Sequence, residues 1–165
     1  MRNILFIRHA KSSWEDLRLK DWERPLNSRG KKDAPKMADF MLEKVSGLDR
    51  IYPSIARRTQ QTGRYFQQTF QVPEEYFIPV QSLYLEGMEM YLQQLWGLEE
   101  EVNNVALIGH NPTMTHIANS VQPGLTDNVP TCGVIWVETD IDDWSDFDFQ
   151  RVQLRGYYYP KILPK

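Results

Sequence analysis

Three short segments hold residue types whose chemistry is complementary. Arg8-His9 follows the apolar run Ile4-Leu5-Phe6-Ile7. Ser54 and the pair Arg57-Arg58 follow Arg50–Pro53. Gly109-His110-Asn111 follows Val105-Ala106-Leu107-Ile108. Two of the three histidines (His9, His110 and His116) and two or three arginines thus stand directly after runs that read as strands. This set suits a phosphoryl group, whose oxygens spread negative charge that the planar guanidinium meets with paired, charge-assisted hydrogen bonds. A neutral imidazole adds a nucleophile or a donor. There is no Gly-rich Walker loop, which excludes a nucleotide triphosphatase of that type.

For these residues to meet, the runs must lie side by side in one sheet. Asn3–Ile7 and Asn104–Ile108 are short, apolar and rich in β-formers, the pattern of strands covered on both faces. Between them, Arg29–Lys44 carries Ala34, Met37, Ala38, Met41, Leu42 and Val45 at helical spacing, with Asn27 or Ser28 as cap and Ser46-Gly47 as stop. Ser54 is placed to cap a helix reaching about Phe70, and Met88–Glu101 has helical periodicity. Asn111-Pro112 reads as the start of a helix to about Val121. Phe77–Val80 reads as extended, and Gly133–Glu138 and Arg151–Tyr159 as two last strands joined by an acidic surface connection. Alternating strands and helices predict an α/β fold, a three-layer αβα sandwich with a mostly parallel central sheet, within a single domain over residues 1–165. In such sheets ligands sit beyond the carboxyl ends of the strands, where the three segments fall. Helix starts at Ser54 and Asn111 would add partial positive charge there.

Composition sets the outer bounds. The 165 residues are 41% hydrophobic and 25% charged, ordinary for a folded domain. The net charge of −3 provides no global field toward nucleic acid or membrane, so a bound anion has to be caught locally. Cys132 is the one cysteine, which excludes a disulfide within the chain. No stretch reaches membrane-helix length, and Arg8 and His9 end the first apolar run before it could act as a signal core; the expected location is the cytoplasm.

Taken in order, the motifs resemble the histidine phosphatase superfamily in its SixA-like phosphohistidine phosphatase version. The matching blocks are Ile7-Arg8-His9-Ala10-Lys11-Ser12-Ser13-Trp14, Arg24-Pro25-Leu26-Asn27-Ser28-Arg29-Gly30, Ser54 through Thr62, Gly109-His110-Asn111-Pro112, and Leu154-Arg155-Gly156 with the aromatic run after it. Alanine after the histidine, in place of the more frequent glycine, is the SixA-like variant. The resemblance implies a phosphoglycerate mutase-like fold and a nucleophilic His9 that passes through a phosphohistidine. It implies a phosphate held by Arg8, Arg58 and His110, with Ser12 as a further phosphate contact, and no metal or cofactor. Of the adjacent arginines, the family spacing selects Arg58, four after Ser54. Helical geometry agrees, since Arg57 is rotated by about 100°. Phosphoester-cleaving relatives carry an acidic residue in the block that here reads Leu83-Tyr84-Leu85-Glu86-Gly87. The expected position holds Leu85, which leaves Glu86 as the candidate general acid, one residue displaced. An imidazole leaving group is less basic than an alkoxide and needs the acid less, so the offset favours a P–N substrate, phosphohistidine in a partner protein. A phosphoester or small-molecule phosphatase of the same fold, or a non-catalytic phosphate-binding module, are the alternatives.

Three other signals carry less. Cys132 lacks an arginine five residues on and does not form a cysteine-phosphatase loop; a buried thiol is expected. His116 has no carboxylate or cysteine at metal-ligand spacing. The acidic run Thr139–Asp148 lacks the glycine and terminal glutamate of an EF-hand loop.

Overall fold

The computed structural model covers residues 1–165. Its centre is a five-stranded sheet of β1 (Arg2–Arg8), β2 (Arg50–Pro53), β3 (Asn104–Gly109), β4 (Val134–Thr139) and β5 (Gln153–Tyr158), in the order β2-β3-β1-β4-β5. β3 pairs in parallel with both β1 and β2, while β4 runs antiparallel to its neighbours β1 and β5. One strand of the five is therefore reversed, and the sheet is mostly parallel as expected.

Side chains alternate across the central strand and build two cores. Leu5 and Ile7 face one side with Ala106 and Ile108. There they pack under α1 (Ser28–Leu42) through Ala34, Met37, Ala38 and Met41, and under α2 (Arg57–Phe70) through Phe66. Ile4 and Phe6 face the other side with Val105 and Leu107. They meet α3 (Met88–Trp96) through Tyr91 and Leu95, and α4 (Thr113–Val121) through Met114, Ile117 and Ala118. This period of two is why β1 and β3 read as apolar throughout: both faces are covered.

Several boundaries differ from the sequence reading, each for a local reason. Asn27 is the cap of α1, its side chain accepting from Gly30 N–H at 2.9 Å. Gly30 sits where an added Cβ would run into the Lys11 carbonyl, so helix and loop touch backbone to backbone. Ser54 does not cap α2, which starts at Arg57 after Ala56; its hydroxyl is engaged elsewhere. Helix α4 starts at Thr113, and the Asn111 carboxamide reaches forward to accept from Thr115 N–H at 3.2 Å. α3 stops at Gly97, short of Glu101. The acidic connection between β4 and β5 is more than a surface loop. Trp144, Phe147 and Phe149 are buried in the second core, and the Trp144 indole donates to the Val102 carbonyl at 2.8 Å. Phe77 and Val80 form isolated parallel bridges to Ile51 and Ser54, so the extended piece 77–80 lies along β2.

Candidate active site

Register brings the chemistry together. Arg8 on β1 pairs with Gly109 on β3, and the His9 N–H donates to the Gly109 carbonyl at 3.1 Å. His9 and His110 therefore leave adjacent strand ends at one level, with ring centroids 5.3 Å apart. Gly109 has to be glycine, because a Cβ would run into the Tyr91 hydroxyl behind it. On the other flank of β3, Ser54 N–H donates to the Ile108 carbonyl at 2.9 Å, which sets the end of β2 at the same edge. Thr62 then ties α2 to the His9 loop: its hydroxyl accepts from Ala10 N–H at 3.0 Å and donates to the Arg58 carbonyl at 2.8 Å.

Both histidines are buried, 7% and 4% exposed, and their hydrogen bonds assign their tautomers. His9 Nδ1 lies 2.7 Å from the Ala10 carbonyl oxygen, an acceptor only. Nδ1 therefore carries the proton, and Nε2 keeps its lone pair. His110 Nδ1 lies 3.4 Å from Arg58 Nη2, which can only donate, while His110 Nε2 lies 2.7 Å from Ser54 Oγ. Neutral His110 thus donates from Nε2 to Ser54, and the Ser54 hydroxyl in turn donates a hydrogen bond to Thr59 Oγ1 at 2.8 Å. Burial, reinforced by His110, Arg58 and Arg8, holds His9 well below the ordinary histidine range, against the pull of the Ala10 bond. Burial together with Arg58 and Arg8 brings His110 down to about 3, with Asp21 opposing. Both rings are neutral at neutral pH.

The two arginines bracket this pair. Arg8 donates from Nη1 to the Val129 carbonyl at 2.8 Å. Arg58 is 3% exposed on the inner face of α2, whereas Arg57 is exposed to solvent, as helical geometry required. The Nε–H groups of Arg8 and Arg58 are buried without an acceptor. A buried donor left unpaired costs on the order of 1–3 kcal/mol, so two of them on arginines whose charges both act on His9 and His110 call for an acceptor-rich ligand. A groove of about 460 Å³ nearby is lined by Leu19, Trp22, Ile55 and Arg57, and by none of His9, His110, Arg8 or Arg58. The convergence of side chains marks the site here, and the size of the cavity does not.

Three neighbours escaped the sequence reading. Asp21, in a short 3-10 turn between β1 and α1, accepts from Arg58 Nη2 at 3.0 Å, from Tyr84 at 2.6 Å and from Arg24 Nη2 at 3.2 Å. Its carboxyl is pushed up by partial burial but held down at about 2 by Tyr84, Arg58 and Arg24. Tyr84 also sets the edge of its ring against His110 at a centroid distance of 5.5 Å. Burial and the adjacent Asp21 push its hydroxyl up to about 12. Arg24 stacks 3.5 Å over Trp14 and donates to Ser12 Oγ at 2.9 Å, so Ser12 joins the cluster through Arg24. The one available signal was the spacing of Asp21 three residues before Arg24 in the Arg24-Pro25-Leu26 block. Glu86 stands apart. Its side chain is exposed and without a hydrogen bond, and only its backbone carbonyl is engaged, by the Thr113 hydroxyl at 2.7 Å. Leu85, at φ 56°, turns the chain there through the left-handed region. Cys132 is buried, with its thiol pushed up by that burial, and its N–H donates to the His9 carbonyl at 3.0 Å. His116 lies exposed on α4.

The fold is a three-layer α/β sandwich that gathers two neutral histidines and two arginines near the carboxyl edge of its parallel strands. The chain belongs to the histidine phosphatase superfamily (branch 1), a family of phosphatases, whose profile matches residues 4–78. That span includes Arg8, His9 and Arg58; His110 is brought in by the fold. The structure of a protein assigned as phosphohistidine phosphatase SixA from Agrobacterium tumefaciens superimposes with a TM-score of 0.81 at 26% identity, covering 96% of this chain and 98% of that one. The protein histidine phosphatase SixA complexed with tungstate shares the fold, with a TM-score of 0.78 at 21% identity over 96% and 97% of the two chains. In sequence, an uncharacterized chloroplastic protein of Arabidopsis thaliana is 30% identical over 156 residues, 88% of this chain and 70% of that protein. No helix is long and apolar enough to cross a membrane.

Proposed function

We propose that the protein is a metal-independent phosphatase acting through a phosphohistidine at His9, with phosphohistidine in a partner protein as substrate. The observation that carries this reading is the lone pair on His9 Nε2, fixed by the Nδ1–H bond to Ala10 and set between two arginines whose buried Nε–H groups lack acceptors. In the first step Nε2 attacks phosphorus. The bond to the leaving nitrogen breaks, its electron pair stays with the departing imidazole, and that imidazole ends neutral with a proton from solvent or its own. Water then attacks the phosphorylated His9, the P–Nε2 bond breaks, and inorganic phosphate leaves. Arg8 and Arg58 hold the equatorial oxygens throughout, and positioning with charge stabilisation is most of the work in phosphoryl transfer. His110 and Ser12 supply further contacts.

The acid inventory supports a P–N bond over an alkyl ester. Asp21 accepts from three donors and is ionised, so it has no proton to give. Glu86 is exposed and its side chain makes no hydrogen bond that would hold it toward the histidine pair. An alkoxide cannot leave readily without a proton from such an acid, whereas an imidazole can. The experiment is an acid- and base-quenched phosphoenzyme trap with phosphoramidate, mapped by mass spectrometry. Phosphate on His9, stable in base and lost in acid, is expected in the wild type and absent in His9→Asn. Label on any other residue, or turnover that survives His9→Asn, overturns the proposal.

A further inference from the structure

Arg58 is a buried cation with one carboxylate against it. Nη1 donates to the Asp21 backbone carbonyl at 2.7 Å and Nη2 to the Asp21 carboxylate at 3.0 Å, while Nη2 also reaches His110 Nδ1 at 3.4 Å. One residue thus occupies the terminal nitrogens through two different acceptors and leaves Nε as the unmet donor. Asp21 is itself fixed from outside: Tyr84 donates to the same oxygen as Arg58, and Arg24 Nε and Nη2 hold the other oxygen at 3.3 and 3.2 Å. A desolvated guanidinium without such a partner would lose its compensating charge and the contacts that select its rotamer. We infer that Asp21 is a positioning residue, which fixes the Arg58 guanidinium beside His110 at the phosphoryl site by holding its two terminal nitrogens. This rests on the phosphatase reading above.

The distinguishing prediction is that Asp21 acts only through Arg58. Asp21→Asn keeps the size of a partly exposed side chain but removes the charge and offers an amide against three donors. Its kcat with p-nitrophenyl phosphate is expected to fall roughly 10- to 100-fold, the scale of a misplaced catalytic group. Asp21→Glu, which restores the charge, is expected to recover part of that loss. In the Arg58→Ala background Asp21→Asn should cost nothing more, because the group it positions is gone. A purely structural role would lower the melting temperature and multiply the two losses. Multiplicative losses in the double variant, or an unchanged kcat in Asp21→Asn, overturn the inference; should Asp21→Asn not fold, the same cycle is run with Asp21→Glu. The single variant Arg58→Ala separates the two levels: if it turns over like the wild type, the phosphatase reading fails before Asp21 is at issue.

Discussion

His110 Nε2 and Ser54 Oγ lie 2.7 Å apart, both residues buried, in a bond that decides which nitrogen of His110 faces Arg58. Ser54→Ala leaves the Nε2–H without an acceptor. That costs roughly 1–3 kcal/mol of stability, by the general cost of a buried unpaired donor, and frees the ring to turn or change tautomer. Thermal denaturation should show the first effect, and a fall in kcat with KM nearly unchanged should show the second. Unaltered kcat would mean that the Ser54 bond serves the fold alone.

The two adjacent arginines should behave differently. Arg58→Ala removes a buried donor beside His110 and is expected to lower kcat/KM by roughly 10²–10³, the scale for losing one preorganised transition-state donor. Arg57→Ala changes an exposed side chain with no ion pair in the structure and should stay within about threefold. Arg58→Lys should not rescue, since a single ammonium cannot meet Asp21 and a phosphoryl oxygen together. Steady-state kinetics on the three variants checks the order.

Much of this was legible in the sequence because β1 and β3 are short, doubly covered strands that leave their chemistry at the next residue. Once His9 and His110 are assigned to strand ends, parallel pairing puts them side by side. What stayed hidden depends on side-chain direction across loops. Ser54 looks like a helix cap by type and place, but its hydroxyl is claimed by His110 and Thr59, and α2 starts three residues later. Asp21 lies in a polar loop with no periodicity, so only its spacing three residues before Arg24 marks it out among the other acidic residues. The block Leu83–Gly87 offers one carboxylate, yet the left-handed turn at Leu85 leaves Glu86 in solvent and Tyr84 is the residue that reaches the site.

Stability should fall as the solution is acidified from neutrality, with a definite sign. His9 and His110 have lowered folded-state values, His110 at about 3, against an ordinary value near 6.5 in the unfolded chain. Between those limits the unfolded state binds protons that the folded state refuses. The contribution is therefore complete above about pH 6.5 and declines as pH falls toward 3. Asp21, at about 2, acts in the same direction lower down, its contribution present above its unfolded value of about 4 and lost as pH falls through 2. Urea midpoints from pH 7 to 4 should drop, and the drop should be shallower in His110→Gln. A midpoint that rises on acidification would contradict the burial of neutral rings.

Oxyanion binding should draw a proton into the site. Burial keeps His110 unprotonated, and the field of Arg8, Arg24 and Arg58 against Asp21, a net local charge of about +2, adds to it. A dianion beside the ring cancels that field. At an effective dielectric of about 20 and a separation of about 4 Å, each unit of negative charge favours the protonated ring by about 4 kcal/mol, or about three pH units. Two units outweigh the depression that holds His110 near 3. His110 Nδ1, an acceptor toward Arg58 beforehand, then becomes a donor to the anion. Tungstate is a suitable probe because it is a dianion at pH 7.5 and carries no proton of its own. Calorimetric titration in buffers of different ionisation enthalpy should show uptake of close to one proton in the wild type and close to none in His110→Gln. Heats independent of the buffer in both proteins would leave His110 neutral in the complex, with only Arg8 and Arg58 donating to the oxyanion.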